Sequence, residues 1–522
     1  MSNIKVLDCT LRDGGYINEW FFGQAKSKII ISLLQKAGMD FIEVGFLSVE
    51  KSTEKQTLFD SFDKIKTFLP KEYDKKRLFG MITYGKFPIE LVPYVKNSPI
   101  EGIRVIFKKT QREDAIKYCK QIKQKGYKLF INPTFTDQYT DEELLSMLKE
   151  IQTIHPYGVS IVDSMGVMKE KDLLRLYYII DNNLSEDIAL CFHSHNNLQL
   201  SFSNAQCLMK VCRNRELIID STVFGMGRGA GNLCSELITQ YINDNYDGHY
   251  DIVQILKIID EQINPIFAKT PWGYSVPYYL AATNHCHPNY AKYLVDKQTV
   301  PVEIINELLH AIPDNKKAGY DVNLIKQIYL DNFSKNIDDS LVVKKLRRLL
   351  NNRELLIIAP GKSLSKEAGK INDFIKKVKP FIISLNFIPK DYDVNVAFVS
   401  NMKRFSSLDD YDKPLLVTSN IENIPEKANV LNYSSYLNNS KMYDNAALMC
   451  LKLLKSIGIK EVSIAGLDGF SNIPTENYVS NDLINNAREN EFDERNEIMS
   501  EELKKVSEKI KLNFITKTQY LI

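Results

Sequence analysis

The sequence predicts an α/β chain: a (β/α)8 TIM barrel, a helical extension, and then a second, Rossmann-like α/β domain. Three observations predict this. Eight short β-branched runs alternate with helix-period segments over about 245 residues, matching such a barrel in count and span. Polar residues gather at the carboxyl ends of those runs, the face on which barrels of this kind build their sites. Beyond about residue 350 an α/β rhythm begins again. A doubly wound open sheet is the competing architecture, but it uses fewer strands over this span.

The elements follow in order. IKVLDC (4–9) leads into the amphipathic GQAKSKIIISLLQKAG, and FIEVGF (41–46) follows it. Then come RLFGMIT (77–83), GIRVIF (102–107), YKLFINP (127–133), GVSIVD (158–163), IALCFHSH (188–195) and IIDSTVFGMG (218–227). Helical periodicity fills most gaps, as in DAIKYCKQIKQKG (114–126), DEELLSMLKEIQ (141–152) and LLRLYYIID (173–181). Residues 1–250 are thus read as the barrel and 251–350 as helices and a Lys/Arg-rich connection. Residues 351–522 form the second domain, with strands expected in LLIIAPGKS (355–363), FIISLNF (381–387), VNVAFVSN (394–401), PLLVTSN (414–420) and VSIAGLDGF (462–470).

Bulk properties narrow the classes of function. A net charge of +2 over 522 residues gives no electrostatic case for nucleic acid. No apolar run approaches the ~20 residues of a membrane span. Eight cysteines without CxxC pairs fit reduced thiols better than a disulfide framework. No leader pattern precedes the first strand, so a cytoplasmic location is expected.

The chemistry concentrates in two places. LDCTLRDGGY (7–16) sets Arg12 and Asp13 just after the first strand, and HSHNN (193–197) ends the seventh. Histidines at i and i+2 on a strand project to one side, because side chains alternate along it. Such an imidazole pair plus one carboxylate makes a set of metal ligands with open positions. Asp13 is the natural third ligand, since strands one and seven stand two apart around a closed barrel.

LDCTLRDGG, HSHNN and GMGRGAGN (225–232), in that order, resemble the metal-dependent TIM-barrel lyase and aldolase superfamily. This group holds 4-hydroxy-2-oxovalerate aldolase, HMG-CoA lyase and isopropylmalate synthase. The resemblance covers roughly residues 1–290 and is closest to the oxovalerate aldolases. It implies Mn²⁺ or Mg²⁺ on Asp13, His193 and His195, with Arg12 stabilising an enolate oxygen. It also implies that Ser164, beside Asp163, contacts a 2-oxo acid such as pyruvate, and that the partner substrate is an aldehyde. Gly227 would let the backbone turn near the ligand, and Asn232 is expected there too, capping the helix LCSELITQYI.

Tyr16 departs from the aldolases, which have a histidine at that offset. A tyrosine has an ordinary pKa about 3.5 units higher, so it suits a proton donor better than a base. Glu43, Tyr274 and His285 are the other candidates for moving the proton. An acyl-CoA-dependent condensing synthase on the same barrel is one alternative. A nucleotide-binding transferase or scaffold with an inactive barrel is another. NHCHP (284–288) lacks the further ligands of a zinc site and is read as structural.

In the second domain APGKS is not a phosphate loop, because Leu356 stands where the pattern needs glycine. With SLNF and AGLDGF the segment weakly resembles sialyltransferase-like Rossmann-type proteins of surface-polysaccharide pathways. That likeness implies a nucleotide or nucleotide sugar near Gly361, Ser363, Asn386 and Asp468, at an anion-friendly helix start. A homo-oligomer is expected, as in the superfamily.

Overall fold

The computed structural model describes residues 3–521 apart from 51, 335, 407, 409–412, 481–482 and 484–488. The chain forms two compact units, Met1–Pro288 and Asn289–Ile522. The division falls inside the segment read as a helical extension.

The first unit is a closed parallel barrel with helices around it. Its strands are β1 (Ile4–Asp8), β2 (Phe41–Leu47), β3 (Leu78–Thr83), β4 (Gly102–Phe107), β5 (Lys128–Pro133), β6 (Gly158–Asp163), β7 (Ala189–Ser194) and β8 (Leu217–Ser221). Each pairs with its sequence neighbour, and the cylinder closes where Leu7 of β1 meets Phe41 of β2 and Asp220 of β8. A two-residue strand, Leu58–Phe59, leans on the end of β2.

The connecting helices are α1 (Gln24–Lys36), α2 (Phe62–Phe68), α3 (Arg112–Gln124), α4 (Asp141–Ile154), α5 (Glu170–Asp181), α6 (Ser201–Val211) and α7 (Ser235–Asn245). In α4, Thr140 caps the first turn: its hydroxyl accepts from Glu143 N while its own N–H donates to the Glu143 carboxylate. Leu144, Met147, Leu148, Ile151 and Ile154 then face the barrel at helical spacing. Between β3 and β4 there are only the short 3-10 turns Ile89–Leu91 and Val95–Asn97. Pro88, Pro93 and Pro99 deny that stretch the backbone donors of a longer helix.

Strand alternation divides the barrel interior into layers. Leu7, Phe41, Phe79, Phe130, Ala189 and Ile218 form an apolar plug. Above it β2, β4, β7 and β8 turn Glu43, Arg104, His193 and Asp220 inward, Glu43 and Asp220 two residues beyond Phe41 and Ile218 and His193 four beyond Ala189. The sequence therefore places an ionic layer between the plug and the carboxyl-terminal mouth.

The second unit holds a seven-stranded parallel sheet. Its strands are β9 (Leu355–Ile358), β10 (Phe381–Leu385), β11 (Val396–Val399), β12 (Leu415–Thr418), β13 (Asn429–Leu431), β14 (Glu461–Ala465) and β15 (Lys511–Phe514). The order is β13-β12-β11-β10-β9-β14-β15, so the winding reverses between β9 and β14. No helix among the described residues is long and apolar enough to cross a membrane.

Candidate metal centre

Asp13, His193 and His195 offer ligand atoms within 4.8 Å of one another at the barrel mouth, and all three are buried. Asp13 lies in the turn after β1, where its N–H donates to Cys9 O at 2.7 Å. The His193 and His195 rings stand 5.4 Å apart, nearly perpendicular.

These groups belong to a closed circuit of buried charge. Arg12 binds Asp13 through Nη1 and Glu43 through Nε, the latter at 2.8 Å. Arg104 lies 3.4 Å from Glu43 and binds Asp220. Asp220 takes His193 Nδ1 at 3.0 Å, and His193 Nε2 faces Asp13 Oδ2 at 3.9 Å. Counting both imidazoles as uncharged, three carboxylates oppose two guanidiniums, so one negative charge is in excess. A buried excess of that kind is costly unless a cation answers it.

The donor set fits a divalent ion. Burial alone would raise the Asp13 carboxyl, but Arg12, with an Asn232 hydrogen bond, holds it well below its ordinary value. Burial pushes His195 down to about 3, against the pull of Asp13, so its lone pair is available. Asp220 holds His193 Nδ1, which leaves Nε2 directed to the mouth. Within the circuit and beside it, Arg12 Nη2, Glu43 Oε1, Arg104 Nε, Asp220 Oδ1 and Asn232 Oδ1 are buried without hydrogen-bond partners among the described residues, and of these Arg12 Nη2 and Asn232 Oδ1 belong to residues that hold Asp13. A second cluster, Cys9 with His193 and Asp220, fits less well. Burial and the charge of Glu43 raise the Cys9 thiol, whereas a ligand must be a thiolate.

Asn232 corrects one expectation. Helix α7 begins three residues later and takes no side-chain cap from it. Asn232 instead donates to Asp13 Oδ2 at 2.6 Å and fixes the aspartate from the opposite side to Arg12. Gly227 makes this possible, since a Cβ there would collide with the Asn232 amide.

The other predicted residues divide. Tyr16 stands at the lip, 44% exposed, its ring edge-on to Trp20 and Phe46. Its desolvated surroundings and the charge of Asp13 raise its hydroxyl above the usual tyrosine value. Glu43 is fully buried between Arg12 and Arg104 and is an ion-pair partner of both. Ser164 Oγ accepts from Phe135 N at 2.9 Å, while the Asp163 carboxylate takes the N–H groups of Val167 and Met168, both at 3.0 Å. Tyr274 is 60% exposed and packs on Tyr279, and His285 is exposed near Asp137. Neither joins the Asp13 cluster.

In the second unit Gly361 and Asp468 face each other across the reversal between β9 and β14. The helix start that was to receive an anion already holds one of the chain's own. Asp468 accepts from both the N–H and the hydroxyl of Ser363. The Asn386 carbonyl is engaged locally with Ser400 N and Asn401 N. Beside these loops lies a cavity of about 500 Å³, with Gly361, Asn386, Asp468, Phe470, Tyr478 and Tyr520 in its wall.

Sequence reasoning passed over Arg104, Asp220 and Arg228, and read His287, within NHCHP, as structural. Arg104 and Asp220 did leave a signal: a charge at an inward position of a β-branched strand.

Residues 89–260, wholly within the barrel unit, match the HMGL-like family model. The chain is 22% identical over 272 residues to oxaloacetate decarboxylase of Mycobacterium tuberculosis, covering 52% of this chain and 79% of that one. It is 23% identical over 312 residues to 4-hydroxy-2-oxovalerate aldolase of Chloroflexus aurantiacus, covering 58% and 89%. It is 27% identical over 293 residues to 2-isopropylmalate synthase of Staphylococcus carnosus, covering 53% of this chain and 55% of the synthase. Over residues 89–260 the barrel of this protein is thus similar to the HMGL-like family.

Proposed function

We propose that the barrel is a divalent-metal-dependent carbon–carbon lyase of the aldolase type, acting beside the carbonyl of a 2-oxo acid such as pyruvate. The observation that carries this reading is the buried circuit with one negative charge in excess, opening on three ligand atoms and the unpartnered Arg12 Nη2. A divalent ion on Asp13, His193 and His195 more than answers that excess. The surplus positive charge then matches the carboxylate of one 2-oxo acid. When bound, Mn²⁺ or Mg²⁺ supplies Lewis-acid withdrawal of electron density from the substrate carbonyl.

The chain's own residues do the rest. Arg12, held by Asp13 and Glu43, offers Nη2 to the carbonyl oxygen on which negative charge develops. Asn232 keeps Asp13 turned toward the histidines. Tyr16, which keeps its proton at neutral pH, is the acid. In the bond-forming direction the 2-oxo acid loses a methyl proton to solvent. Its carbon joins the acceptor carbonyl carbon, whose C=O π bond opens, and Tyr16 Oη protonates that oxygen. Tyr16 then recovers a proton from water. Cleavage runs the same steps backward. Glu43, between two guanidiniums, holds Arg12 in place.

The cavity at the sheet reversal of the second unit supports a separate small-ligand site there, of the size and place used for nucleosides in such sheets.

The test is metal analysis beside exchange of pyruvate methyl protons in D₂O. The wild type is expected to bind Mn²⁺ and to exchange those protons only with metal present. Asp13→Ala, His193→Ala and His195→Ala should each lose both. Full metal content in all three variants, or no exchange by the wild type, rejects the reading.

A further inference from the structure

The loop after β8 carries a cation that the proposed chemistry leaves unused. Arg228 sits within GMGRGAGN, and that loop is pinned over the barrel mouth. Gly231 O accepts from Asn196 N at 2.8 Å, and Ala230 N donates to Asn197 Oδ1 at 2.8 Å. Asn232 closes the loop on Asp13. The Arg228 backbone is therefore held beside the metal-ligand cluster from both sides.

Its side chain lines the same wall as Arg12. The Arg12 guanidinium lies 5.6 Å from the Phe46 ring, Phe46 meets Tyr16 edge-on, and the Arg228 guanidinium lies 5.6 Å from the Tyr16 ring. Two guanidiniums thus flank one aromatic pair. Their charges are treated differently. Arg12 is neutralised by Asp13 and Glu43, as Arg104 is by Asp220 and Glu43. Arg228 has no carboxylate within ion-pair distance among the described residues. Its polar partner is His287 Nε2 at 3.2 Å. Burial, with Arg228 itself, pushes His287 down to about 3, so the pair presents a single positive charge.

We infer that Arg228, backed by Tyr16 and His287, is a subsite for a distal carboxylate, so that the carbonyl compound joined to or split from the 2-oxo acid is itself an anion. This rests on the function proposed above and adds the substrate class. With the ion and one 2-oxo acid in place, the inner circuit is neutral, and the guanidinium of Arg228 is the positive charge left at the mouth. One guanidinium matches a monoanionic carboxylate in charge and in fork geometry. A neutral aldehyde would leave it without a counter-charge.

The test is calorimetric binding to the full chain with Mg²⁺. 2-Oxoglutarate and 2-oxoadipate serve as two-headed probes, with 2-oxovalerate and 2-oxohexanoate as their neutral-tailed counterparts. The wild type is expected to prefer at least one two-headed acid by roughly tenfold, the worth of a charge-assisted hydrogen bond. Arg228→Gln should bring that ratio close to one, and Arg228→Lys should restore part of it. Equal affinity of the wild type for both kinds of acid overturns this inference and leaves the proposed reaction standing. So does a preference that survives in Arg228→Gln. Binding of none of the four overturns the proposed reaction and the inference together.

Discussion

At the scale of single residues the site depends on groups that never touch a substrate. Asp220 holds His193 Nδ1, and that bond decides which imidazole nitrogen faces the cluster. Asp220→Asn can present an amide N–H there and favour the wrong tautomer. Its Mn²⁺ affinity, measured by calorimetry, is expected to fall between about 10- and 100-fold, the range for lost outer-shell partners. An unchanged affinity would show that Asp220 serves Arg104 alone. The ligands themselves were legible because a strand's two-residue period fixes where His193 and His195 point. The circuit behind them was not, because nothing in a linear pattern says that Arg104 and Asp220, 116 positions apart, share one barrel layer. The pairing of His287 with Arg228 was hidden for a different reason. His287 lies two residues from His285, and only the turn of the chain selects which of them meets Arg228.

At the scale of elements, the loop after β8 acts as a clamp built from absent side chains. Gly231 has a φ of +85° and a Cβ there would meet Gly225 O, while one at Gly227 would strike Asn232. Gly227→Ala should therefore displace Asn232 and free one side of Asp13. A drop of about tenfold in Mn²⁺ affinity is expected, with a melting temperature lowered by a few degrees for about 1 kcal/mol. Calorimetry and thermal unfolding of the variant check both parts. Retained affinity with a lowered melting temperature would confine the glycine to a packing role. The barrel strands were legible because all eight are apolar runs bounded by turn residues. Two strands of the second unit were missed. Asn429–Leu431 has three residues and Lys511–Phe514 alternates charge, apolar and amide, so neither makes a run. The helix start at Ser363 was legible, but its occupant was not: Asp468 is 105 residues away.

At the scale of the whole molecule, each unit carries the parts it needs. Among the described residues the largest apolar core runs from Val6 to Ile263, all within the first unit. All the proposed ligands and their supports also lie before Pro288. Residues 1–288 produced alone are expected to unfold in one cooperative transition and to bind Mn²⁺ as tightly as the full chain. Thermal unfolding and calorimetry of that fragment decide it, and a fragment that folds without binding would make the second unit part of the centre.

The two sheets also differ in what they expose to other chains. The barrel closes on itself through Leu7 and Phe41, so its backbone offers no row of unsatisfied donors and acceptors. The open sheet ends on β13 and β15, only three and four residues long. Brevity protects them: a stray strand docking there could form only a few ladder bonds before running out of template. Lengthening either edge with β-branched residues would turn a harmless margin into a seed for aggregation.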